Sequence, residues 1–450
     1  MRSYPASATD SGWDARVWRL AGPIILSNLT VPLLGAVDTA VVGHLPDPAY
    51  LGAVALGATI FSFVYWGFGF LRMSTTGLTA QAWGAGEDEE VTASLLRAGA
   101  IALGLAALLL LLQGPIGWAA FAIIESSDQV EALGRGYFAI RIWGAPAALM
   151  NYVLLGWFLG RQDARTPLIL MTFTNAMNIA LDLLFVVGFG WDVEGVAAAT
   201  AISEWSGVLL GLLIVRRRLP VGAIAAARAR LLDGAAARRL FAVNRDIFIR
   251  TLCLVGAFAY FTVRGAAMGE LTLAANAVLL NFLTFTAFGL DGFAHAAEAL
   301  VGGAVGRRDG PGFSAAVRAA FKWAAIVAAA AAIAFVLAGP AIIDLLTDIA
   351  DVRGEARRFL YWAALMPLVS VWCFTYDGIF IGATRSVDLR NGMILSLAVY
   401  LAAVHLAQPA FGNHGLWFAM MVFMGVRGLA LAMLYPRLRR SIGDESAIPA

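Results

Sequence analysis

Asp38 interrupts the run NLTVPLLGAVDTAVVGHL, residues 28–45, which is otherwise almost entirely apolar or small. A carboxylate in hydrocarbon costs roughly 2.5–3.5 kcal/mol even on lenient insertion scales, so it asks for a use. Asp182 poses the same question, with Asn175, Asn178 and Asp182 at i, i+3 and i+7 on one helical face. Thr200 and Glu204 stand at i and i+4 in the next apolar run. Two carboxylates with an amide and a hydroxyl make an all-oxygen cation site. They equally make a carboxylate pair able to hold a proton, because desolvation and a like-charged neighbour both raise a carboxyl pKa. Asn175 or Thr200 alone would be ordinary inter-helix glue, worth little. Two carboxylates are poor glue for each other.

The elements that must position these residues are membrane spans. The chain of 450 residues is 60% hydrophobic and 14% charged, with a mean hydropathy of +0.77, against roughly 25% charge in soluble domains. A span needs about 20 apolar residues. Breaks at Gly, Pro and charge clusters give twelve candidates, near 17–43, 52–83, 91–112, 131–160, 165–188 and 194–218, then 241–267, 272–306, 312–338, 354–384, 387–410 and 415–436. The polar start MRSYPASATDSGWDARVWRL has no cleavable signal pattern. Cys253 and Cys373 lie in apolar runs and read as small core residues rather than a disulfide.

An even count puts both termini on one side. With the N-terminus inside, inner segments carry twenty arginines and outer ones four, Arg135, Arg353, Arg357 and Arg358. That bias places both ends in the cytoplasm. On this topology Asp38, Asp182, Thr200 and Tyr137 all lie about 8–9 Å below the outer surface, at 1.5 Å per residue. Four helices of one half thus share a depth, which permits one pocket.

The sequence weakly repeats about its middle. YFAIRIWGAP matches RFLYWAALMP, and GWFLG matches GIFIG, setting Gly160 opposite Gly382. Two six-span halves of one orientation are parallel repeats, a transporter plan with a cavity between rocking lobes. The expected organisation is a cytoplasmic tail (1–16), an N-lobe (17–218), a cytoplasmic connection (219–240), a C-lobe (241–436) and a second cytoplasmic tail (437–450).

The second half carries Arg264 in span 7 and Asp291, His295 and Glu298 on one face of span 8. Arg264 is expected to neutralise Asp291, and Arg264, Asp291 and Glu298, with Asn175 and Glu204, are secondary candidates for the transport site. Arg72, Arg141, Asp377 and Arg427 are accounted for by pairing or snorkelling. The four histidines are too scattered for a metal site, and no phosphate-binding loop occurs. Pro23 and Pro32 lie inside span 1, where each removes a backbone donor and invites a kink.

The stretches GPIILSNLTVPLLGAVDTAVVGHL, FLRMSTTGLTAQAWGA, YFAIRIWGAP and VNRDIFIR…NAVLLNFLTFTAFGLDGFAHAAEA resemble the multidrug and toxic compound extrusion (MATE) family, in its DinF-like branch. The likeness runs from about residue 17 to 436. It implies an all-α polytopic membrane protein of twelve helices in two six-helix lobes related by pseudo-two-fold symmetry. It also implies antiport of cationic or amphipathic organic compounds against H⁺ or Na⁺. The family's coupling-ion positions match Asp38, Asn178, Asp182 and Thr200, with Tyr137 as a cavity tyrosine and Pro23 as the helix 1 hinge. A metal is expected only as Na⁺ at those four residues.

The expectation is a secondary transporter, not an enzyme, in a bacterial inner membrane. It has no cofactor beyond the coupling ion, no nucleic-acid or obligate protein partner, and a monomeric state. Its rivals are a lipid-linked oligosaccharide flippase, which adds two helices and lines its cavity with arginines, and a membrane-embedded enzyme, to which the scattered histidines lend no support.

Overall fold

The computed structural model describes residues 10–43, 47–123, 126–231 and 233–442, with only the backbone of residues 10, 11, 31–34, 36 and 38–40. The outer parts of both tails and the side chains of Asp38 and Pro32 therefore lie outside the described residues.

Every regular element among the described residues is helical. In chain order they are α1 (Asp10–Gly43), α2 (Pro48–Trp66), α3 (Phe70–Ala85), α4 (Asp88–Leu111), α5 (Gln113–Ile123), α6 (Asp128–Arg141), α7 (Ala145–Gly160) and α8 (Arg165–Asp182). Then come α9 (Val193–Arg218), α10 (Ala223–Leu231), α11 (Gly234–Ala266), α12 (Glu270–Gly306), α13 (Gly310–Leu346), α14 (Ala350–Gly382), α15 (Ser386–Phe411) and α16 (Asn413–Ser441). Eleven helical segments among the described residues are long and apolar enough to cross a membrane. Each covers one of spans 2–12, and α1 covers span 1.

Three spans are interrupted. Gly67–Gly69 separate α2 from α3, and a 3₁₀ turn at Ile142–Gly144 separates α6 from α7, whose Pro146 lacks the donor that an unbroken helix would use. A wide π turn, Leu183–Gly188, continues α8 immediately after Asp182. Two expected ends were wrong. α13 runs through Pro340 to Leu346 and α16 through Pro436 to Ser441, because a membrane helix tolerates a proline once neighbours satisfy the freed carbonyl. The short α5 and α10 were not anticipated.

The chain forms two compact units. One comprises the residues up to Ile25, Trp83–Gly86 and those from Ala242 onward; the other comprises Leu26–Ala82 and Glu87–Phe241. The same close helix contact is built in each. Gly156 and Gly160 set α7 on α3 where a Cβ would collide with the backbone carbonyls of Arg72 and Thr76. Gly378 and Gly382 set α14 on α12, against the carbonyls of Ala294 and Glu298. Small residues four apart let backbones approach this closely, and the matched GWFLG and GIFIG are those two seams.

Candidate functional site

Two contacts fix how α1 and α8 run together. Ser27 Oγ donates to Met171 Sδ at 3.1 Å, and Asn175 Nδ2 donates to Thr30 Oγ1 at 2.9 Å. The partners ascend together in both helices, so the two are parallel, with an offset of 144 to 145 residues. At that offset the backbone of Asp38 is level with Asp182.

Asp182 and Asn178 sit one turn apart on α8 and are 0% and 1% exposed. Asn178 Nδ2 donates to Thr200 Oγ1 at 3.3 Å across to α9. The Thr200 hydroxyl spends its own proton on Val196 O, at 2.9 Å, so it meets Asn178 as an acceptor. Asn178 Oδ1 is buried and takes no hydrogen bond from a described group. The Asp182 carboxylate and the Asn178 amide thus share one face of α8, and the amide reaches the Thr200 hydroxyl of α9. The π turn that follows Asp182 is of a kind that recurs at functional positions.

Tyr137 is buried on α6, its ring lying over Gly57 of α2, where any side chain would collide with it. Asn175 turns to α1 through Thr30. Glu204, one turn below Thr200, is held by Arg141 of α6: Nη1 reaches Oε2 at 2.9 Å and Nη2 reaches Oε1 at 2.5 Å. Arg141 also lies 5.2 Å from the ring centres of Phe61 and Tyr65 and donates weakly to the Tyr65 hydroxyl at 3.4 Å. Of the residues selected from sequence, the described hydrogen bonds join Asn178 to Thr200 directly and give Glu204 a cation of its own.

The other unit is arranged differently from expectation in one respect. Arg264 does not neutralise Asp291. It lies two residues before the end of α11, while Asp291 is 21 residues into α12, about 31 Å along that helix from Glu270. Arg264 Nε donates instead to Gln408 Oε1 at 2.6 Å, and Gln408 Nε2 returns a bond to the Arg264 carbonyl at 3.3 Å. Asp291 lies where its charge acts on Arg427. Arg427 donates to Asp377 Oδ2 at 2.8 Å, and Arg250 donates to the same oxygen. The sequence left Asp377 and Arg427 to pairing or snorkelling without naming partners and gave Arg250 no role, although an arginine in VNRDIFIRTLCLV was signal enough. Glu298 is buried, and its carbonyl faces Gly382. Among the described residues no three His, Cys, Asp or Glu side chains are grouped to hold a metal ion.

The MatE family model matches residues 23–184 and 247–407, one stretch in each half of the chain. The chain belongs to this family. It is therefore a transporter rather than an enzyme, and a multi-pass membrane protein. This MatE chain is 47% identical over 424 residues to the DNA damage-inducible protein F of Escherichia coli strain K12, covering 94% of this chain and 92% of that one. It is 25% identical to the multidrug resistance protein MdtK of Edwardsiella ictaluri, over 94% of each. In fold it is similar to the MATE transporter VcmN of Vibrio cholerae in the bent form, with a TM-score of 0.84 at 20% identity, covering 96% of this chain and 98% of that one. A MOP superfamily transporter from Pyrococcus furiosus gives a TM-score of 0.86 at 18% identity, over 96% and 97%.

Proposed function

We propose that the protein is an antiporter that exports small cationic or amphipathic organic compounds across a bacterial inner membrane in exchange for H⁺ or Na⁺. Asp38 and Asp182 carry the coupling ion, with Asn178 and Thr200 supplying neutral oxygens and Tyr137 closing the wall. The observation that carries this reading is the parallel register of α1 and α8, which sets Asp38 level with the buried Asp182. Two carboxylates at one level cannot both be ionised in comfort without a proton or cation between them. Glu204 and Asp377 are less suited to exchange, since each already holds an arginine. No cofactor beyond the ion is required, and a single chain suffices.

Proteoliposome efflux of a fluorescent organic cation, driven separately by a pH gradient and a sodium gradient, tests the proposal. Wild type should respond to one gradient. Asp38→Asn and Asp182→Asn should insert and bind the cation yet lose that response, and the double variant should be little worse than either single one, because the two act as a unit. Gradient-driven efflux at wild-type rate in both single variants would overturn it.

A further inference from the structure

The connection between the two halves carries a surface that lies outside the proposed ion site. α9 ends in Arg216, Arg217 and Arg218, all exposed, and a turn through Pro220 and Gly222, at φ +84°, leads directly into α10. α10 therefore starts five residues after a membrane span ends, at the level of the lipid headgroups. One side of it rests on α4, with Ala227 fully buried and Arg230 Nε 3.8 Å from Glu89.

A neighbouring side of α10 is unlike a water-facing loop. Ile224 and Arg228 stand at i and i+4 on one face of α10, and Val221 lies in the turn just before the helix begins. Val221 is 107% and Ile224 53% exposed. Arg218 has Asp163 and Arg230 has Glu89, but Arg216, Arg217 and Arg228 pair with no acid among the described residues. Exposed aliphatic side chains beside unpaired arginines are the pattern of a segment lying in the membrane interface, with its apolar groups in the acyl boundary and its guanidiniums on phosphates.

We propose that residues 216–228 dock on the membrane surface beside α9 by binding acidic phospholipid headgroups through Arg216, Arg217 and Arg228, with Val221 and Ile224 inserted between them. The occupant follows from charge complementarity. Three cations at the end of α9 and on α10, with no acid paired to them among the described residues, favour headgroups of net negative charge over zwitterionic ones. Each arginine near an anionic surface favours the docked state roughly fivefold, so the three together favour it on the order of a hundredfold.

The test uses the full-length protein with Ala225→Cys carrying an environment-sensitive fluorophore, reconstituted in vesicles of phosphatidylcholine with and without phosphatidylglycerol. Wild-type protein labelled in parallel gives the background from Cys253 and Cys373. Acrylamide, a neutral quencher, reads exposure without bias from the vesicle charge. The expected result is blue-shifted emission and reduced quenching only when phosphatidylglycerol is present. Arg216→Gln/Arg217→Gln/Arg228→Gln should abolish that lipid dependence, and the corresponding triple change to lysine should retain it. Equal quenching in both vesicles, or a phosphatidylglycerol dependence that survives the glutamine variant, would overturn the proposal. These residues lie outside the ion site, so either outcome is independent of the transport measurement.

Discussion

Arg141 and Glu204 show how an acid inside this membrane protein is held against a counter-charge of its own. Their side chains are 7% and 17% exposed and make a two-point contact. Removing one partner leaves an uncompensated charge, a loss of about 3–5 kcal/mol, whereas replacing both by apolar groups is often neutral. Glu204→Gln should therefore lower the unfolding temperature in detergent markedly, and Arg141→Met/Glu204→Leu should recover most of it. A double variant as unstable as the single one would mean that the pair is not the unit. At this scale the sequence was informative within a helix and poor between helices. The i, i+4 spacing put Asn178 and Asp182 on one face, and both are buried together. The partners Tyr65 and Gln408 were not legible, and Arg264 was given to Asp291, because spacing along one helix carries no information about the depth register of the next.

Asp163 governs the start of α8, the element that presents Asn178 and Asp182. Its carboxylate accepts from Thr166 N at 3.1 Å and Thr166 Oγ1 at 2.6 Å, and from Arg218 at the end of α9. Burial pushes its pKa up, but the bonds from Thr166 and Arg218 outweigh burial and hold it below the ordinary aspartate value. A depressed folded-state pKa gives stability that is complete above the unfolded value, about 3.9, and is lost as pH falls through the folded one. Asp163→Asn should thus lower the unfolding temperature at neutral pH, and the difference from wild type should shrink under acid. A constant difference down to pH 3 would remove Asp163 from the account. α1 is the other element with a special place. Asp14 binds Lys322 at 2.6 Å and Trp323 at 3.0 Å, in one unit, whereas Ser27 and Thr30 bond to α8 in the other. Pro23 lies between these anchors and withholds the donor that would bond the Arg19 carbonyl. Pro23→Ala restores that bond, so it should slow gradient-driven efflux while substrate binding and expression persist; full activity would leave Pro23 without a hinge role. The spans themselves were legible because about 20 apolar residues are hard to miss. Helix ends at Pro340 and Pro436 were misread because soluble-protein rules for proline relax where neighbouring helices satisfy the backbone.

At the scale of the molecule the arginines sort by side in a way the pairing makes sharper. The four arginines in the segments expected outside are each matched by an acid: Arg135 by Glu131, Arg353 by Asp344 and Asp348, Arg357 by Asp344, and Arg358 by Glu355. At the end of α9 and in the central connection, Arg216, Arg217 and Arg228 have none among the described residues. Arginines close to a span end resist translocation and favour the cytoplasmic side. Three spans, α11, α12 and α13, separate the central connection from the turn at Thr347–Ile349, so the two must lie on opposite faces of the membrane. Ala225→Cys in the connection should therefore be protected from an impermeant thiol reagent added to intact cells and become labelled once the membrane is opened. Asp348→Cys, at a position whose side chain is 103% exposed, should show the reverse order. Both sites labelled from outside would contradict the odd span count. Labelling of Ala225→Cys alone from outside would keep the count and invert the protein, and with it the direction in which Asp38 and Asp182 must take up and release their ion.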